Sequence, residues 1–135
     1  MKSLEIILEK QDDEIWGRVE APGFFYTTAG ESVDEIEKNL KELIEDFLEN
    51  EGKTMPEWAG VTSNDIAFTY TSDLTAFFDL FNELKKGTVG SRAGINETLM
   101  RQYVSGIKHP SLQQAKKIEE AIHHLGETLL RVSFV

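Results

Sequence analysis

The chain has no cysteine. A disulfide framework, a thiolate metal site and a cysteine nucleophile are therefore excluded, and the composition fits a cytoplasmic protein. No apolar run approaches the roughly 20 residues that cross a bilayer. Glu5 and Glu9 interrupt the stretch that follows Met1, so no signal peptide is expected there. There is no internal repeat, no Gly-rich phosphate loop and no nucleophile elbow. The histidines His109, His123 and His124 lack ligand spacing, because adjacent helical residues do not face one way. No metal and no cofactor is expected. What is present is 135 residues, 40 % apolar and 28 % charged, which suits one ordinary domain or two very small ones and excludes a disordered or low-complexity chain.

The net charge of −10 is unevenly placed. Residues 1–72 carry 6 Lys/Arg against 17 Asp/Glu, a net of −11, whereas residues 73–135 carry 8 against 7, a net of +1. Within the second half, positions 85–117 hold Lys85, Lys86, Arg92, Arg101, Lys108, Lys116 and Lys117 against Glu97 alone. A pI of about 4.7 argues against nucleic acid, but that mean conceals a local basic surface. The chain reads as bipartite, with a boundary at Ser72-Asp73 that has no Gly/Pro linker.

Ser3–Lys10 and Glu14–Glu20 read as strands joined by the tight turn Gln11-Asp12-Asp13. Ile15, Gly17 and Val19 fall on one side of the second, and Trp16, Arg18 and Glu20 on the other. Phe24–Thr28 has the aromatic and β-branched content of a third strand. Ser32-Val33-Asp34-Glu35 is a capping box that opens a helix whose apolar stripe is Val33, Ile36, Leu40, Leu43, Ile44, Phe47 and Leu48. Residues 53–65 read as a long loop and Ile66–Thr71 as a fourth strand. One helix covers one face of such a sheet, so the other face must be polar or must meet something.

From Asp73 the period changes. Leu74, Phe77, Phe78, Phe81 and Leu84 predict an amphipathic helix that ends near Lys85-Lys86-Gly87. Val89–Ala93 predicts a short helix that stops at Gly94, and Asn96 caps the next, which runs to Ser105-Gly106. Ser111-Leu112-Gln113-Gln114 opens a last helix with Ala115, Ile118, Ile122, Leu125 and Leu129 on one side, and Val132–Val135 reads as a terminal strand. Gly90 is the small residue that lets a second helix cross closely, Gly94 serves the turn, and Val89, Ala93, Ile95, Met100 and Tyr103 point inward. That is a helix-turn-helix pattern. It resembles the Cro/lambda-repressor-like class, and the match continues through Ser105-Gly106-Ile107-Lys108-His109-Pro110-Ser111-Leu112. The outward residues of the second helix are Glu97, Thr98, Arg101, Gln102 and Ser105. Of these, Thr98, Arg101 and Gln102 are the candidates for base edges, Arg suiting guanine and Gln adenine. Lys85, Lys86, Arg92 and Lys108 suit phosphates, which set register. Glu97 favours the helix N-terminus or accepts from cytosine.

The β-β-β-α-β unit with Pro22-Gly23 and with Gly30-Glu31-Ser32-Val33-Asp34-Glu35 opening an acidic helix resembles the HicB-like antitoxins. Leu99-Met100-Arg101-Gln102-Tyr103, Ser105-Gly106, Pro110-Ser111, Lys117-Ile118-Glu119 and Ile122-His123 resemble the helix-turn-helix branch of that family. The resemblance covers nearly the whole chain, apart from the 53–65 loop. It implies an α+β protein: a partial RNase H-like domain at 1–72 that binds a toxin, then an all-α helix-turn-helix DNA-binding domain at 73–135. The implied function is that of an antitoxin in a type II pair, which neutralises a small basic HicA-like mRNA-cleaving toxin and represses its own operon on double-stranded operator DNA. A −11 domain complements such a basic RNA-binding partner. Capture would use the acids of the 33–49 helix and the open sheet face.

Other readings remain open at this point. A stand-alone transcriptional regulator without a toxin needs the same fold. A metal-dependent RNase H-like nuclease needs convergent carboxylates. Glu5, Glu9, Asp34, Glu35 and Glu42 are candidates, but no spacing singles out a set, so no enzyme is expected. The Ala115–Leu129 seam predicts a homodimer through the C-terminal half; alternatively it packs on the Leu74–Leu84 helix.

Overall fold

A computed structural model describes all 135 residues. The protein is α+β, with a four-stranded mixed sheet and five helices. It divides into two compact units, Met1–Leu80 and Phe81–Val135.

In the first unit, β1 (Lys2–Gln11), β2 (Glu14–Ala21) and β3 (Phe24–Gly30) form an antiparallel meander. The β1–β2 turn is two residues, and Asp12 takes the positive φ of 56° that such a turn requires. Helix α1 (Val33–Glu49) then carries the chain back so that β4 (Ile66–Ser72) lies parallel to β1, giving the order β3-β2-β1-β4. As the capping box predicts, the Ser32 hydroxyl accepts from the Glu35 N–H at 3.1 Å; the Glu35 carboxylate reaches back one residue beyond the cap and accepts from the Glu31 N–H rather than from that of Ser32. The α1 stripe buries Ile36, Leu40, Ile44, Phe47 and Leu48 against Ile6, Leu8, Ile15 and Val19 of the sheet. Leu43, read from spacing as part of that stripe, is 39 % exposed, because it lies at the stripe's margin. Close packing depends on Gly17: a Cβ there would lie 2.3 Å from Ile36 Cγ2.

The connection at 51–65 is more ordered than a plain loop. It contains two short 3₁₀ turns, Glu51–Thr54 and Ser63–Asp65. Trp58 is buried against Phe24 and Phe47, and its indole N–H donates to the Pro22 carbonyl at 2.7 Å.

Helix α2 (Leu74–Leu80) belongs to this first unit, so the division falls after Leu80 rather than at Ser72-Asp73. The reason is packing: Ala76 is fully buried in the sheet's core, and Lys10 on β1 pairs with Asp79 at 2.6 Å. The helix expected to continue to Lys85 stops at Leu80, and Phe81–Leu84 closes as a turn through Leu84 N–H to Phe81 C=O at 3.0 Å. Asn82 in that turn is a residue whose side chain competes with helical backbone bonding.

The second unit comprises α3 (Lys86–Ala93), α4 (Glu97–Ser105) and α5 (Leu112–Leu130). Its buried residues are Val89, Gly90, Ile95, Met100, Tyr103, Val104 and Ile118. Helix α3 starts a turn earlier than its apolar residues indicate, with Val89 N–H bonded to Lys85 C=O. Val132–Val135 forms no strand, because a single extended segment without a hydrogen-bonding neighbour has no ladder to join. No helix is long and apolar enough to cross a membrane.

Candidate nucleic-acid interface

The second unit holds every basic side chain singled out from the sequence. With the division after Leu80, the first unit has 6 Lys/Arg against 19 Asp/Glu and the second 8 against 5, so the nets are −13 and +3. The charge division is sharper in the folded units than at the boundary read from the sequence.

Helices α3 and α4 are joined by a turn whose geometry follows from its residues. Gly94 takes φ 74°, the left-handed conformation that favours glycine, and Ile95 N–H returns to the Gly90 carbonyl at 2.9 Å. The Asn96 side chain then accepts from Leu99 N–H at 2.8 Å and opens α4. The two helices approach closely at Gly90, where a Cβ would lie 2.8 Å from Met100 Cγ. Val89, Ile95, Met100 and Tyr103 are buried as expected; Ala93 is only half-buried. Val104 is also buried and was missed, although its i,i+4 spacing from Met100 carries the signal.

This frame presents one face of α4 to solvent. Thr98 and Arg101 are exposed, and Gln102 is half-buried. The Arg101 guanidinium lies 3.4 Å from the Glu97 carboxylate through Nη1 and 3.5 Å from the Thr98 hydroxyl through Nη2. The structure thus brings Glu97, Thr98 and Arg101 into one cluster, and neither Gln102 nor the lysines take part in it.

The phosphate candidates lie at α3 and in the segment after α4. Lys85 and Lys86 stand at the start of α3, where a cation opposes the helix dipole, so they contribute nothing favourable to the helix end. Arg92 sits in the last turn of α3, where the dipole favours a cation. Lys108 follows α4, and its N–H bonds the Gln102 carbonyl at 3.2 Å, which fixes the loop against the end of α4. All four are exposed.

The first unit offers a different surface. Helix α1 covers one face of the sheet and leaves the other open, with Ile7, Trp16 and the 54 %-exposed Phe25 among Glu5, Glu9, Glu14 and Glu20. Ile7, Glu9, Trp16, Arg18 and Thr27 line a shallow depression there, and Arg18 pairs with Glu9 at 2.8 Å. Glu5 accepts from the Thr71 hydroxyl on the neighbouring strand. The carboxylates considered for metal-dependent hydrolysis lie on two sides: Glu5 and Glu9 on the open face, Asp34, Glu35 and Glu42 on α1 across the sheet. They do not converge, and no group of three or more His, Asp or Glu side chains is placed to hold a metal ion.

No protein-family model matches the chain, and no curated protein or solved structure matches it.

Proposed function

We propose that the chain is a HicB-like antitoxin and autorepressor. The second unit reads operator DNA through Thr98, Arg101 and Gln102 on α4, with Lys85, Lys86, Arg92 and Lys108 on phosphates. The acidic first unit, in this reading a partial RNase H-like domain, captures and masks a small basic HicA-like toxin. The observation that carries the proposal is the α3–α4 pair: a glycine-mediated crossing, a left-handed glycine turn and a capped second helix with exposed Thr98 and Arg101. The strand-strand-strand-helix-strand order from β1 to β4, to which α2 is added at the end of the first unit, supports the family reading, and the unit's net of −13 supports a basic partner.

Dimeric DNA reading also has support. Of the 19 residues of α5 only Ile118 is buried; Ala115, Ile122 and Leu125 are half-buried and Leu129 is exposed, so much of its apolar stripe is available to a second copy. A dimer would read two half-sites spaced by about one helical turn of DNA or a multiple of it.

The deciding experiment is native co-purification of the tagged chain, followed by intact-mass analysis of what stays bound. A stoichiometric small basic protein is the expected result. Recovery of the chain alone, still binding specific DNA, favours the stand-alone regulator, and RNA cleavage by the pure chain with Mg²⁺ or Mn²⁺ would replace the binding-protein reading by a nuclease.

A further inference from the structure

We propose that Glu97 is a positioning residue for base recognition: with the Thr98 hydroxyl, its carboxylate restrains the Arg101 guanidinium while leaving it N–H groups for a base edge, which makes α4 discriminate guanine. The inference rests on the DNA-reading proposal above.

Both side chains are exposed, Arg101 by 60 % and Glu97 by 80 %, and an ion pair in such a setting adds little to folding. Glu97 is also the only acid between Lys85 and Lys117. An anion in that stretch weakens attraction to phosphate on every DNA sequence alike. The helix dipole favours an acid in the first turn of α4, but neither that gain nor general affinity accounts for its pairing with Arg101.

Orientation does. Glu97 is the first residue of α4, and Arg101 follows one turn later on the same side. A guanidinium carries two N–H groups on each terminal nitrogen and one on Nε. Glu97 engages Nη1 and Thr98 engages Nη2. Donors therefore remain on both terminal nitrogens and on Nε, and two adjacent ones make a fork that matches O6 and N7 of guanine. As DNA displaces water from the helix face, the attraction between carboxylate and guanidinium strengthens, so the restraint acts when bases are being read.

The test uses the full chain as wild type, Glu97→Gln, Glu97→Asp, Arg101→Ala and the Glu97→Gln/Arg101→Ala double variant. Each selects from a randomised duplex library, and each is titrated at one salt concentration on the selected duplex, its single-base variants and a random duplex. The wild type is expected to select a guanine that Arg101→Ala no longer prefers. Glu97→Gln should lose about tenfold of that preference while binding random duplex more tightly. It should have no further effect on base preference once Arg101 is alanine. Glu97→Asp, which keeps the helix-end charge on a shorter side chain, should lose preference in the same way, with helicity unchanged. Full guanine preference in Glu97→Gln, or altered preference at a different base pair, overturns the positioning role and leaves DNA reading intact. Wild-type preference in Glu97→Asp overturns it too, since charge at the helix end would then suffice. A wild type that selects no sequence overturns DNA reading itself, and the role of Glu97 with it.

Discussion

Gly90 and Met100 set the distance between α3 and α4: a Cβ added at position 90 would lie 2.8 Å from Met100 Cγ and 3.2 Å from its Cβ. Met100 is 1 % exposed, so it has little room to move aside. A larger residue at 90 must separate the helices or distort the core.

Gly90→Val is therefore expected to destabilise the second unit by about 1–3 kcal/mol, the usual cost of overpacking a filled core. Denaturant unfolding followed by amide exchange in α3 and α4 measures this. An unchanged midpoint would show that the helices can part without penalty, and the close crossing would lose its explanatory role.

Base reading and phosphate binding make different predictions. Arg101→Ala is expected to weaken binding to the selected duplex by roughly 1–3 kcal/mol and to relax discrimination at one base pair. Lys108→Ala should weaken binding to all duplexes alike and lower the slope of log affinity against log salt by about one. Competition titrations across salt concentrations distinguish them. Equal loss on selected and random duplex for Arg101→Ala removes its base-reading role.

These predictions use residues legible before the fold was known, and the reason is local. Gly90, Gly94, Asn96 and the Met100–Tyr103 spacing each report a short-range requirement of backbone or packing, which a sequence displays directly. The strands and α1 were legible for the same reason. What escaped depends on contacts distant in sequence. The α2 residues have helical spacing but lie in the first unit because Ala76 meets its core and Asp79 meets Lys10. Trp58 looks like a loop residue until Pro22, 36 positions away, accepts its N–H. The cluster of Glu97, Thr98 and Arg101 follows from helical spacing, yet the side-chain orientations that join them do not.

Tyr70 on β4 supplies a pH test of the first unit. Although Tyr70 is 40 % exposed, partial desolvation raises its phenol above the usual value near 10, and the hydrogen bond it donates to Glu37 on α1 raises it further. A raised folded-state value means that this contribution to stability is fully present below about pH 10 and is lost as pH climbs beyond it. The wild-type urea midpoint should therefore fall more steeply above pH 10 than that of Tyr70→Phe. Parallel decline of the two proteins would show that the phenol titrates alike in folded and unfolded chains.

The half-covered stripe of α5 yields the prediction about assembly. Leu129 is 58 % exposed, and Leu130, Val132 and Phe134 beyond it are also exposed, so apolar surface accumulates at one end of the unit. Surface of this kind is normally covered in solution, and a second copy would cover it while spacing two α4 helices for a two-fold operator. Sedimentation at micromolar concentration is expected to give a dimer for the wild type and a monomer for Leu129→Glu, with helicity retained because the side chain leaves the unit's own core intact. The variant should also lose affinity for a duplex with two half-sites much more than for one with a single half-site, since only the former gains from coupled binding. A monomeric wild type, or a Leu129→Glu chain that remains dimeric, would remove α5 from the interface and require each α4 to find its half-site alone.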